Sequence, residues 1–180
     1  MDYLTFNTKE NQTIDRHLLL LYLNTGTDEG NPVWSPVGKR VGDSSMNYDW
    51  SEETTTDILG DTHTSMSKPV ITQSFDPMEL TAGDKAQLKI WNAAIRDQDP
   101  NALANMDMLV VHLYAGTADT AAFAERYTSC AVKPSSLGGA GGGKLGMPVD
   151  VTYGGTRTVG TATVKDGAVT FTPEAEGESV

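Results

Sequence analysis

Six carboxylates, Asp43, Asp49, Glu52, Glu53, Asp57 and Asp61, follow one another in a stretch that has no Lys or Arg between Arg40 and Lys68. Three chemistries could use such a set. Oxygen ligands in that density could hold a hard cation such as Ca²⁺. A pair of carboxylates could serve as acid and base in glycoside hydrolysis. Otherwise the stretch is a negative surface that faces water. The spacing favours the last. Asp57-Ile-Leu-Gly-Asp61 lacks the D-x-D-x-D-G and terminal Glu of an EF-hand loop. Glu52 and Glu53, adjacent on a strand, point to opposite faces and cannot share one bond. Each unpaired buried carboxylate would cost several kcal/mol, so one face of this stretch must be wet. That water is bulk solvent, a cation site or an enclosed channel.

The other reactive residues offer less. Gly138 to Lys144 matches G-x-x-x-x-G-K, but Leu145 stands where a phosphate-binding loop needs Ser or Thr for magnesium, and a strand rather than a helix is predicted next. The glycines read more simply as a loop able to change shape on assembly. His17, His63 and His112 are too scattered for an H-E-x-x-H pair, and His112 falls in an apolar strand pattern where a hydrogen-bonded core histidine is expected. Cys130 is the single cysteine, so neither a disulfide framework nor a cysteine zinc cluster is available, and within a strand it reads as a small core residue. No G-x-S-x-G elbow occurs. These observations argue against an enzyme and imply no cofactor and no metal.

The elements that must carry the acidic stretch are mostly strands. Residues 1–15 are polar and weakly patterned and predict a flexible arm. His17 to Leu23 is a short apolar run between turn-prone flanks and predicts a buried strand. From Asp43 to Trp50, polar and apolar residues alternate with period two. Thr54 to Leu59 is β-branched, ends at Gly60-Asp61, and is expected to return antiparallel to the preceding strand through the acidic Ser51-Glu-Glu connection; His63 to Lys68 then reads as flexible. Pro69 to Phe75 is a further strand.

One helix is predicted, over about 82–98, opened by Thr81-Ala-Gly-Asp84, with Leu88, Trp91 and Ile95 as its apolar stripe and Asp99-Pro100 as its stop. Met108 to Tyr114 is the strongest buried-strand signal, and Phe123 to Val132 continues as a strand. After the glycine-rich segment a meander is expected: Pro148 to Tyr153, a Gly154-Gly155 turn, Thr156 to Lys165, an Asp166-Gly167 turn, and Ala168 to Thr172. The two-residue Asp-Gly turn should pair Val164 with Val169 and Ala162 with Phe171 on one face.

At 180 residues the chain is long enough for one domain with its own core. This gives a flexible arm over 1–15, one domain over 16–173 with mobile loops at about 50–68 and 134–145, and a flexible tail over 174–180. A net charge of −11 excludes a protein that grips nucleic acid by its phosphates, though not one that nucleic acid slides past. The N-terminus lacks a secretion signal and the longest apolar run, Leu18 to Leu23, is too short to span a bilayer, so no membrane role and no export by that route are expected.

Taken in order, Trp34-Ser-Pro-Val-Gly38, Val41-Gly-Asp43-Ser-Ser-Met46, Thr54-Thr-Thr-Asp57-Ile-Leu-Gly60 and Thr72-Gln-Ser-Phe75-Asp-Pro77 before the helix resemble phage major tail proteins, the tail tube subunits of tailed bacteriophages. Gly160-Thr-Ala-Thr-Val164-Lys-Asp-Gly167 and Phe171-Thr-Pro173 look like the family's last strands. The resemblance runs from about Trp34 to Pro173, and the order of the motifs carries it; the glycine loop at 138–143 has no counterpart in it.

It implies a mostly β fold, a β-sandwich or partial barrel with one flanking helix. Six copies would form a ring whose inner strands join into a continuous barrel, and stacked rings would make the tube. The partners implied are the chain itself, a tape measure protein, and tail terminator and tail tip proteins. DNA would pass through the lumen without specific binding. The place implied is the virion tail, assembled in the host cytoplasm. By position, Asp43, Asp49, Glu52, Glu53, Asp57 and Asp61 fall on or beside the lumen or the contacts between rings. Six copies at −11 each would carry −66 per ring. The alternatives are a small β-sandwich that binds a ligand or Ca²⁺, a virion decoration protein, or an enzyme of calcium-dependent carbohydrate chemistry.

Overall fold

The strand at the centre, β7 (Met106–Thr117), explains its own sequence. Met106, Met108 and Val110 enter one apolar cluster, while Leu109 and Val111 enter a second on the opposite face. A strand buried on both sides has no need of alternation, hence the unbroken Met-Leu-Val-Val. The computed structural model describes residues 4–28 and 30–174; residues 1–3 of the expected arm and 175–180 of the expected tail lie outside the described residues.

Around β7 the chain places β1 (Leu19–Asn24), β2 (Trp34–Pro36), β3 (Met46–Asp49), β4 (Glu52–Thr56), β5 (Thr62–Met66), β6 (Val70–Phe75), β8 (Ala121–Pro134), β9 (Val149–Tyr153), β10 (Arg157–Lys165) and β11 (Ala168–Pro173). The strand order is β2-β1-β7-β8-β9-β6-β3, with β10 also on β8 and β11 on β10; β4 and β5 form a separate pair. The fold is mostly β, as expected.

The fourteen-residue β8 belongs to two sheets. Its first half pairs with β10, from Ala122↔Ala162 to Tyr127↔Arg157, and its second half pairs with β9, from Ala131↔Thr152 to Pro134↔Val149. One sheet, β2-β1-β7-β8-β10-β11, curls until β11 approaches β2, around Tyr22, Trp34, Ala122, Ala124 and Ala162. The other, β8-β9-β6-β3, covers the larger cluster that includes Phe75, Met78, Val149, Val151 and Tyr153.

Gly154-Gly155 is therefore not the hairpin turn the sequence suggested. β9 and β10 lie end to end along one edge of β8, and the two glycines bend the chain from one sheet into the other. Gly155 has φ +72°, and a Cβ there would lie 2.7 Å from the backbone nitrogen of Ser129. The Asp166-Gly167 hairpin forms in the expected register, with Val164 opposite Val169 and Ala162 opposite Phe171.

The helix begins three residues later than Thr81 suggested. Asp84 is the N-cap, accepting from the Gln87 amide at 3.0 Å, and the buried Gln87 side chain bonds the Thr81 amide and the Glu79 carbonyl. Helix α1 (Lys85–Trp91) continues as a wider π turn over Asn92–Arg96, and a short α2 (Pro100–Ala104) starts where a stop was expected, with Asp99 as cap and Pro100 in the first turn. The buried stripe is Ala86, Ile90 and Ala93 rather than the one centred on Leu88, which is 58 % exposed. The glycine-rich segment closes on itself through paired Gly138–Gly146 backbone bonds of 3.0 and 2.7 Å, and leads into β9 rather than a helix.

Candidate functional site

The acidic stretch lies on one long hairpin running from Met46 to Phe75. Its lower part is the β3–β6 ladder, with Met46 opposite Gln73 and Asp49 opposite Val70. The upper part is β4–β5, with Glu52 opposite Met66 and Thr56 opposite Thr62. The pairing expected of Thr54–Leu59 with the preceding strand is thus corrected: β4 starts inside the acidic connection and pairs with β5, the segment expected to be flexible. The two ladders are out of step by one residue, absorbed on the return strand around Lys68-Pro69, because Pro69 has no N–H to offer. The Ser67 amide bonds the Ser51 carbonyl at 2.9 Å just beyond.

Above that break the chain buries nothing. Every residue of β4 and β5 is exposed. At the tip, Gly60 has φ +89°, and the Asp57 carboxylate accepts from the amides of Leu59 (2.8 Å) and Asp61 (3.0 Å) and meets His63 Nε2 at 3.0 Å. The contact to His63, then the Asp61 and Leu59 amides, hold the Asp57 carboxyl below its ordinary range. Asp57 is thus committed to shaping the turn. Ile58 is fully exposed and Leu59 82 % exposed. An isolated two-stranded ribbon with an apolar tip in water is a marginal structure on its own.

Below the break, the sheet β8-β9-β6-β3 has two unlike faces. Ile71, Phe75, Val149, Val151 and Tyr153 point into the core. The alternate residues Asn47, Asp49, Thr72, Ser74, Asp150, Thr152 and Lys133 form the outer face. Ser74 donates to Asp150 Oδ1 at 2.6 Å. This face carries three hydroxyls, the Asn47 amide, the exposed Val70, two carboxylates and one ammonium, and beyond β3 the sheet ends in an edge with no further strand among the described residues.

The six acidic residues do not converge on one point. Asp49 is on this outer face; Glu52 and Glu53 stand on opposite faces of β4; Asp57 and Asp61 share the tip. Asp43 sits at the base of the arm, bridged to Asp76 beside a cavity of about 580 Å³ lined in part by Arg16, Val37 and Phe75. Among the described residues no group of three His, Cys, Asp or Glu is placed to hold a metal ion. Asp150 escaped the sequence reading, although the alternation of Val149, Val151 and Tyr153 was the signal that placed it outward.

A buried ionic cluster braces the corner between the sheets. Glu125, 5 % exposed, meets His112 Nε2 at 3.1 Å and accepts from Arg157, whose Nε lies at 2.7 Å. His112 Nδ1 meets the Tyr114 hydroxyl at 2.7 Å, the hydrogen-bonded core histidine the sequence suggested. Burial pushes the Glu125 carboxyl up, but the bonds from His112 and Arg157 outweigh it and leave it below its ordinary value. With both oxygens engaged, Glu125 ties β7, β8 and β10 together. Cys130 is fully buried and burial pushes its thiol up to about 11, which leaves it inert. Residues 5–7 lie along the far end of β7: the Asn7 amide bonds the Tyr114 carbonyl at 2.9 Å and its side chain donates to the Leu113 carbonyl at 2.7 Å.

No protein-family model matches the sequence, and no curated protein matches it. Among solved structures the chain is similar to the sheath/tube terminator of the PVC extracellular contractile injection system in its extended state, with TM-score 0.51 and 11 % identity over 84 % of this chain and 99 % of that one. It also matches the tube-terminating cap of the anti-feeding prophage (TM-score 0.48, 14 % identity, 87 % and 96 % covered) and the PVC sheath–tube complex (0.48, 11 %, 83 % and 93 %). At this identity the likeness is one of fold: the chain is mostly β with a tail-tube-like fold, as in that terminator. No helix among the described residues is long and apolar enough to cross a membrane.

Proposed function

We propose that this chain is a structural, non-catalytic subunit of a phage-like tail tube that assembles with copies of itself into stacked rings, six to a ring. The observation that carries the reading is the Met46–Phe75 hairpin. Its lower half ends a sheet in an open edge, and its upper half is a ribbon exposed on every residue. An unpaired edge and an unburied ribbon are liabilities for a solitary subunit, and closing edges between copies into a ring removes them.

In that arrangement the outer face of β8-β9-β6-β3 lines the lumen. Asp49 and Asp150 outnumber the single ammonium of Lys133, which stands opposite Asp150, so the face keeps a negative sign and offers a polyanion little to adhere to. Glu52, Glu53, Asp57 and Asp61 ride on the arm that bridges to a neighbour, with Asp43 at its base. The partners are then other copies, tail terminator and tip proteins, and a tape measure protein in the lumen; DNA passes through during ejection, and the protein resides in the virion tail. The fold shared with a tube terminator supports a second reading, a single ring that ends a tube instead of repeating along it.

Sedimentation over a rising concentration series with negative-stain imaging tests both. Hollow rods are expected; single rings that do not stack favour the terminator; a monomer at every concentration overturns the assembly.

A further inference from the structure

Helix α1 leaves an apolar residue unused on its surface. Leu88 is 58 % exposed, between Lys85 and Lys89, beside a groove of about 460 Å³ whose floor includes Ala93 and Ala102. Its two ammonium groups have no carboxylate partner among the described residues. Among the described residues Lys89 Nζ donates only to the Asn24 carbonyl, at 2.6 Å; Asp107, which lines a neighbouring pocket with it, is gripped by Arg126 through bonds of 3.0 and 2.7 Å. Burial lowers the pKa of Lys89, the mark of a cation short of counter-charge. The groove's own carboxylates are taken: Asp97 pairs with Arg96, and Asp99 caps the amides of Asn101 and Ala102.

The hairpin tip is the complement of this groove. It offers two exposed apolar side chains, Ile58 and Leu59, next to Asp61, whose side chain makes no hydrogen bond among the described residues. We propose that the tip of one copy seats in the α1 groove of a second copy, Ile58 and Leu59 against Leu88 and Ala93, Asp61 toward Lys85 and Lys89. The inference rests on the self-assembly reading and names the receptor for the arm. Apolar burial would supply most of the affinity, and the lysines would set register and orientation.

Pairing of introduced cysteines tests it, since Cys130 is buried and does not compete. L59C and L88C subunits, mixed under assembly conditions and oxidised, should give a covalent dimer that neither yields alone and that K133C mixed with L59C does not yield. K85E should lose assembly, and adding D61K should restore it. Assembled particles without the L59C–L88C product, or with equal product from K133C, overturn the groove assignment and leave the ring reading standing. A chain that stays monomeric throughout overturns both.

Discussion

The β7–β8 ladder and the β4–β5 ladder are both antiparallel pairs joined by a short turn, yet one buries both faces and the other buries neither. What differs is the side-chain inventory. β7 spends its positions on Met, Leu and Val, whereas β4 and β5 are Thr, Glu, Ser and His with Met66. Hydroxyl and β-branched residues satisfy a pleated ribbon without asking for a core. One ladder holds the fold together, and the other adds nothing to its core.

Mutations should separate the two regions. Leu109→Ala, at the fully buried centre of β7, is expected to cost about 2–5 kcal/mol in chemical denaturation. Arg157→Ala leaves the buried Glu125 short of a donor and should cost about 1–3 kcal/mol. The same cluster has a pH signature. Because the folded Glu125 carboxyl lies below its ordinary value, its contribution is fully present above that value and is lost as pH falls through the folded one. Glu125→Gln should therefore flatten the acid limb of the stability profile.

Gly155→Ala, which puts a Cβ against Ser129 and an alanine at positive φ, should cost about 1–2 kcal/mol. The smallest effect belongs to the arm: Thr54→Ala, on a strand exposed throughout, should shift stability by no more than about 0.5 kcal/mol. A large loss there would break the contrast, since it would mean the ribbon supports its own subunit.

What was legible in the sequence was local. Asp166-Gly167 sets a two-residue turn, and the flanking alternation agrees with it, so the register of β10 and β11 followed from residues within one hairpin. Met108 to Tyr114 announced burial by composition alone. What was not legible depended on partners distant in the chain. Gly154-Gly155 looks like a hairpin turn unless one knows that β8 is long enough to serve both flanking strands. The Leu88 stripe has proper helical spacing, but the sheet accepts the smaller Ala86, Ile90 and Ala93 face, which allows the helix closer. For the acidic residues, sequence placed Glu52 and Glu53 on opposite faces; that Asp57 is spent on its own turn required seeing the amides it meets.

The strand common to both sheets has a mechanical consequence. β9 and β10 hang from the same edge of β8, so the sheet bearing the hydroxyl face and the sheet curled behind it cannot slip past one another by rearranging side chains alone. Shear between the layers falls on peptide bonds and on the Arg157–Glu125 strut beside the bend. Two sheets tied in this way move as one stiff body, and give is left to the ribbon above the Pro69 break.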